Sequence, residues 1–313
     1  MRAIFFLIPV VLGNFLGTFF ANAHQGPEHE IEELSERMKL HGETADLLTE
    51  RAVEYHVLGK LDEATADLQR AAVLDPRSMP ICRELGRVLF LGGKPVEAIA
   101  VATRGLTLQN DEPVEFAALR ILRAEIFRSQ ELNQKALEDC EVAIRLHKQN
   151  PEWYILRSDL HRRLQMKKER VVGVEEGVIQ TGAGILDVEL VEALMDASQF
   201  AVALMLIDAE MNDSRIKSSW LIRRARAEFG LENPVNAEAD LKAAIEEIDH
   251  RLNRRRTDVL LLMDKATALE LLGDKKGALS LYEEAQVKGG GEALTEKIKA
   301  LQESMRLSPA VKR

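Results

Sequence analysis

The sequence predicts an all-α chain: an α-solenoid of about seven helix-turn-helix units with a capping helix at each end. Three observations predict it. First, an anchor position recurs at a near-constant interval: Ala64 to Ala98 is 34 residues, Ala98 to Ala136 is 38, Ala136 to Arg170 is 34, Arg170 to Ala203 is 33, Ala203 to Ala237 is 34 and Ala237 to Ala278 is 41. Second, a further small residue follows two helical turns later on the same face, at Ala71, Gly105, Ala143, Gly177, Ala244 and Ala285, with Glu210 the exception. Between the two positions lie Leu68, Ala102, Cys140, Val174, Ile207, Leu241 and Tyr282, so each face is apolar and lets another helix approach closely. Third, 9 prolines in 313 residues leave long segments without a breaker, and 5% aromatic against 46% hydrophobic content means that aliphatic and alanine packing dominates.

In chain order, Met1 and Arg2 precede an apolar run that ends in Ala21-Asn22-Ala23, the pattern of a secretory signal peptide over residues 1–23 cut before His24. The alternative is an uncleaved membrane anchor. Pro9, Gly13 and Asn14 inside the run, and the acidic stretch after it, favour cleavage. Residues 24–44 form an N-terminal segment and capping helix with Ile31, Leu34 and Met38 on one side, ending near Gly42. The repeats fill 45–292, in units of approximately 45–78, 79–112, 117–150, 151–183, 184–217, 218–251 and 259–292. Gly59, Gly93 and Gly273 sit where a short turn between antiparallel helices needs a left-handed or unhindered backbone.

Two insertions break the period. Residues 113–116 separate the second and third units, and the interval before the last unit contains His250 and the run Arg254, Arg255 and Arg256, which is either a docking patch or a solvated helix extension. Arg170 and Glu210 place bulky charges where small residues stand elsewhere, so the fourth and fifth units are expected to pack less regularly. Gly289, Gly290 and Gly291 stop the last repeat helix; without a preceding strand or a following Lys-Ser or Lys-Thr they do not make a phosphate loop. Residues 293–313 give a C-terminal capping helix, with Ala293, Ile298 and Leu301 on one side, and a short tail.

The stretches LGKLDEATADLQRAAVLDP, LGRVLFLGGKPVEAIAVATRGLTLQ, KALEDCEVAIRL, RARAEFGLENPVNAEADLKAAI and KATALELLGDKKGALSLYEEA resemble the tetratricopeptide repeat family, whose period is about 34 residues. The resemblance covers nearly all of the chain after residue 23. It implies a right-handed superhelix of paired helices with a concave surface that binds proteins or peptides. Some members grip a peptide's terminal carboxylate through Asn, Lys and Arg on successive first helices. The first two units here offer no first-helix Asn, so that particular arrangement is missing.

Charge and cysteine content narrow the partner and the compartment. The formal net charge is −9, and removing residues 1–23 takes away Arg2 and no acid, which leaves the mature chain near −10 and argues against nucleic acid or anionic lipid as the main partner. Export would permit disulfides, yet the only cysteines, Cys82 and Cys140, fall on apolar faces of separate helices; they read as buried thiols, with a bridge between them as the alternative. The expected location is outside the cytoplasm, periplasmic or secreted.

For function, the leading expectation is a non-catalytic scaffold or adaptor of the cell envelope that binds a protein or peptide. Arg83, Glu84, Arg87, Asp159, Arg162, Arg163, Arg223 and Arg226 are its candidate groove residues. Ile121, Leu122, Ile155, Leu156 and Val188 between them form either an apolar binding strip or ordinary interhelix core. A second expectation is metal binding: cleavage would put a terminal amine beside His24, with His29 five residues on, a nitrogen set suited to copper. A disordered polar terminus is the alternative at that end. An enzyme comes third. No His-Glu-x-x-His, nucleophile elbow, phosphate loop or Cys-x-x-Cys occurs, and His41, His56, His147, His161 and His250 are scattered over separate units, so no catalytic residue and no other cofactor is assigned.

Overall fold

The structure, a computed structural model, describes residues 26–108, 112–253 and 258–307. Among these residues all regular structure is helical. Residues 1–23, where the sequence predicts a signal peptide, His24, the arginine run 254–256 and the tail beyond Leu307 lie outside the described residues. Two compact units, Met1–Gln109 and Asn110–Arg313, make up the chain.

The first unit opens with the capping helix α1 (Pro27–His41), followed by two antiparallel pairs, α2 (Ala45–Val57) with α3 (Leu61–Leu74) and α4 (Met79–Leu91) with α5 (Pro95–Leu106). Leu34 and Met38 of α1 are buried with Leu47 and Leu48 of α2. This seals the apolar end that a stacked array otherwise leaves open. The second unit holds five pairs: α6 (Pro113–Ser129) and α7 (Asn133–Leu146), α8 (Pro151–Arg163) and α9 (Lys167–Thr181), α10 (Ile185–Asp196) and α11 (Phe200–Asp213), α12 (Ser218–Gly230) and α13 (Pro234–Leu252), α14 (Val259–Leu271) and α15 (Lys275–Val287). It closes with α16 (Glu292–Leu307).

Local chemistry sets these boundaries. Thr44, Ser78, Asn150 and Asp258 cap first helices by accepting a bond from a backbone N–H two or three residues on, at 2.9–3.3 Å. Within every pair the chain turns by the same device, in which the N–H of the third residue past the helix bonds the carbonyl five residues back. These are Lys60 to Tyr55, Lys94 to Leu89, Leu132 to Phe127, Met166 to His161, Gln199 to Leu194, Asn233 to Glu228 and Asp274 to Leu269, all 2.8–2.9 Å. The residue before each donor has positive φ. It is Gly59, Gly93 and Gly273 in three turns, as their sequence positions suggest, but Glu131, Gln165, Ser198 and Glu232 in the other four.

Several expectations are corrected. Residues 113–116 do not separate two units but form the first turn of α6, which runs 17 residues; Pro113 stands at the helix start because its missing N–H would have no partner there. The long interval before the last pair is in part added helix, since α13 runs 19 residues and includes His250. On α16 the packed side is Leu294, Ile298, Leu301 and Met305, not the side of exposed Ala293. The fourth and fifth pairs keep the common turn and ordinary helix lengths. Arg170 is accommodated by small neighbours and by hydrogen bonds, and Glu210 is only half-buried near the end of α11. Cys82 and Cys140 are free, buried thiols.

At the helix crossings Ala64, Ala98, Ala136, Ala203, Ala237 and Ala278 are fully buried, as are Ala52, Ala124, Ala225 and Ala266 on first helices. Without large side chains between them the helices come close enough for Leu68, Leu160, Ile207 and Leu241 to fill the core. Gly177 serves the same end in α9: a Cβ there would lie 2.7 Å from the ring of Tyr154, a fully buried residue whose hydroxyl donates to the Lys148 carbonyl.

Candidate partner-binding face

First helices of successive pairs touch one another, α2 with α4 in the first unit and α6 with α8, α8 with α10 and α12 with α14 in the second, while second helices do not to the same extent. In each unit the first helices therefore form the more closely spaced inner layer. Side-chain bonds follow the same path, from Arg128 to Asp159, from Ser158 to Glu189 and from Arg223 to Glu192.

Helical periodicity sorts the inner layer of the second unit into rows. Residues four and three positions apart share a face, giving Ile121, Glu125, Arg128 on α6; Ile155, Asp159, Arg162 on α8; Val188, Glu192, Met195 on α10; and Ile222, Arg226, Phe229 on α12. Equivalent residues recur every 33 or 34 positions. One row is aliphatic, one charged, and one lies in the last helical turn. The aliphatic strip divides accordingly. Leu122 and Leu156 are core, Ile121 is nearly so, and Ile155 and Val188 are partly exposed ledge residues.

The predicted groove residues fall into three groups. On α4, Arg83 lies 3.2 Å and Arg87 3.9 Å from Glu84, a charge cluster along a single helix of the first unit. On α8, Arg162 and Arg163 both bond Asp159, which also receives Arg128 from α6. Burial pushes the Asp159 carboxyl up, but its bonds from Arg163 and Arg162 outweigh that and hold it below the ordinary carboxylate value. On α12, Arg223 and Arg226 both reach Glu192 of α10, at 3.1 and 3.0 Å, and Arg223 lies over the Trp220 ring. Arg128 and Glu192 escape a reading by residue type alone. The signal was there, because Arg128 precedes Arg162 by 34 residues and Glu192 follows Asp159 by 33.

Behind this face, between α8, α9 and α10, lies a polar network. Arg170, 5% exposed, donates to Ser158 Oγ at 2.9 Å, to Glu189 Oε1 at 2.7 Å and to Asp196. Ser158 in turn donates to Glu189 at 2.5 Å. Next to it Arg157 bonds the Gly173 carbonyl and Glu176, both at 2.7 Å, and lies over the Tyr154 ring. His161, buried on the same helix, is driven below its ordinary pKa by burial and then by Arg157 and Arg170, against the pull of Glu169.

The remaining candidates stay apart. His29 is exposed in the first turn of α1, and among the described residues no group of three His, Cys, Asp or Glu could hold a metal ion. His41, His56, His161 and His250 lie on α1, α2, α8 and α13, and His147 packs edge-on against Trp153. The Cys140 thiol donates to the Trp153 carbonyl at 3.3 Å, and burial pushes its pKa up to about 12, far from nucleophilic use at neutral pH. No helix among the described residues is long and apolar enough to cross a membrane.

No family model matches the sequence, and no curated protein does. Solved structures match at the level of fold. A tetratricopeptide repeat protein from Parabacteroides merdae is 15% identical and superposes with a TM-score of 0.57, covering 87% of this chain and 98% of its own. Yeast Tom70 is 17% identical with a TM-score of 0.54 over 91% of this chain, which spans 60% of that protein. A chain of the APC/C hetero-tetramer Cut9-Hcn1 is 12% identical with a TM-score of 0.53, over 88% of this chain and 46% of that one. The fold is the tetratricopeptide repeat solenoid.

Proposed function

We propose that the chain is a non-catalytic protein-interaction scaffold of the cell envelope, holding a protein or peptide partner on the first-helix face of its second unit. One observation carries this reading: the inner layer presents aliphatic and charged rows that repeat every 33 or 34 residues, with guanidinium groups half-exposed. A partner laid across successive helices meets the same chemistry at each step. The scattered histidines, the inert Cys140 thiol and the pairing of Asp139 and Glu189 with arginine speak for binding rather than catalysis. The N-terminal signal pattern speaks for export, and the acidic net charge against nucleic acid.

The test places a photo-crosslinking residue at Ile155, on the inner face, or at Ile179, exposed on the second helix α9, in cells of the native host. The expected result is a discrete protein adduct from position 155 and none from 179, on a chain whose N-terminal sequence begins at His24. Adducts from neither position would remove the scaffold reading; an intact residue 1 on the fractionated protein would remove export. Copper titration of the mature protein against His24→Ala examines the metal reading, which indistinguishable binding would end.

A further inference from the structure

Three guanidinium groups converge on one carboxylate where α6 meets α8. Arg128 Nη1 donates to Asp159 Oδ2 at 3.3 Å, Arg163 Nε to the same oxygen at 2.8 Å, and Arg162 Nη2 to Oδ1. Three guanidinium groups thus bond one carboxylate, on a chain whose formal net charge is −9. The side chains are 39%, 39% and 53% exposed in that order, against 20% for Asp159. A guanidinium carries five N–H donors, and each of these gives one to Asp159, which leaves further donors on side chains that solvent reaches.

A structural role explains only part of this. All three arginines sit in the last turn of their helices, where a cation meets the negative end of the helix dipole. The dipole favours cations at each helix end; it does not by itself bring three, from two helices, onto a single acid. Mutual repulsion opposes that gathering, and one carboxylate neutralises a third of it. The other arginine node on this face, Arg223 and Arg226 on Glu192, stands closer to balance. The excess at α6 and α8 complements a second anion. Guanidinium also matches a carboxylate through paired, parallel hydrogen bonds, which gives such a contact direction as well as charge.

The neighbouring chemistry specifies more. Ile155, seven residues before Arg162, lies on the same side of α8 about 10 Å down the helix at 1.5 Å per residue, with Val188 beside it on α10. An extended chain advances roughly 3.3 Å per residue, so a segment lying along α8 reaches the node and the ledge with residues about three positions apart.

We propose that Arg128, Arg162 and Arg163 form a receptor for an acidic side chain of an extended protein segment, with an aliphatic side chain about three positions away seated on Ile155 and Val188. This rests on the reading that the inner face binds a protein, and it names that partner's chemistry. Asp159 acts as the positioning residue that keeps the three guanidiniums together.

The mature chain and its R128Q/R162Q/R163Q variant are screened against an immobilised library of random dodecapeptides at low and high salt. K167Q/K168Q/K242Q, which removes the same charge from exposed sites on α9 and α13, is the control. The expected binders carry Asp or Glu with Leu, Ile or Val about three positions away, lose affinity in high salt, bind the control unchanged and bind the arginine variant at least tenfold more weakly. Replacing the acid of a selected peptide by Lys should abolish binding to the native chain and restore it to R162E/R163E. Should the triple variant lose its helicity, the single R162Q, at the most exposed of the three, carries the same comparison. Binders without acid preference, or acidic binders indifferent to the arginine variant, overturn the receptor and leave the scaffold reading standing. A screen that yields no binder to the native chain counts against both.

Discussion

The pairs α2/α3 and α8/α9 solve one packing problem in opposite ways. In α2/α3, Ala64 lies at the crossing with Ala52 twelve residues before it, and Arg51 of the first helix forks onto Asp67 of the second at 2.7 and 2.9 Å. The same clamp, sixteen residues apart, holds α6/α7 through Arg123 and Asp139 and α12/α13 through Arg224 and Asp240. In α8/α9 the clamp's acid is missing. Arg157 finds Gly173 at the sixteenth position, where an added Cβ would come within 3.2 Å of its Nε. Arg170 stands at the crossing in place of alanine, with Ser158 twelve residues before it. Arg157 still reaches Glu176 within the pair, but a second set of ion pairs runs forward, from Arg170 of α9 to Glu189 and Asp196 of α10. Position in the repeat fixes the backbone, while the polar residues placed on it decide whether electrostatics bind within a pair or between pairs.

That comparison can be broken outright. Ala64→Arg imports the α8/α9 residue into a crossing with Ala52 in place of serine, so its charge has no built partner. Overpacking and an uncompensated buried cation together are expected to cost on the order of 3–5 kcal/mol in urea unfolding. Thermal and chemical stability unchanged from the native chain would mean that Ala64 is not at a tight crossing. Arg170→Ala should cost less, about 2 kcal/mol, because Glu189 and Asp196 are partly exposed and can hydrate once their cation is gone. Hydrogen exchange should show the loss at α10 as well as α9. Protection lost in α9 alone would contradict the coupling between pairs.

His161 sharpens the comparison through pH. Its folded pKa lies below the ordinary 6.5, with burial the largest cause, Arg157 and Arg170 adding to it and Glu169 opposing. A group depressed in this way binds its proton more readily when unfolded. Its contribution to stability is therefore complete above about pH 6.5 and is lost as the pH falls from there toward the folded value. His161→Gln should flatten the acid side of the stability profile relative to the native chain, and parallel profiles would show that the imidazole does not titrate on unfolding. The smallest effect is expected at Gln165, whose φ of 59° closes the α8/α9 turn. Gln165→Gly relieves a left-handed side-chain penalty of about 1 kcal/mol but adds backbone entropy to the unfolded chain, for a net gain of roughly half that. A loss of stability in the melt would show that the Gln165 side chain matters more than its backbone.

Much of the fold is legible in the sequence because it depends on spacing. Anchor residues, small except at Arg170, recurring at 33- to 41-residue intervals, apolar faces and glycine at three of the seven turns follow from helical geometry alone. The other four turns were hidden, since Glu131, Gln165, Ser198 and Glu232 give no hint of a left-handed backbone that the two flanking helices impose on them. Arg170 reads as a defect in the sequence because its acidic partners are residues of the next pair, and Ala293 reads as packed in place of Leu294 because a one-residue shift changes the buried side of α16. On the candidate face, charge type pointed to Asp159 and Arg162; Arg128 emerges only when the period is applied to the first helices as well as the second.

Burying Cys140 between α7 and the start of α8, with its thiol held protonated, gives the molecule an internal clock for its own breathing. An alkylating reagent can react there only during an excursion that separates those helices and lets water ionise the sulfur. Labelling rates at this one atom therefore time openings of the segment that carries Asp159, with no probe attached beforehand.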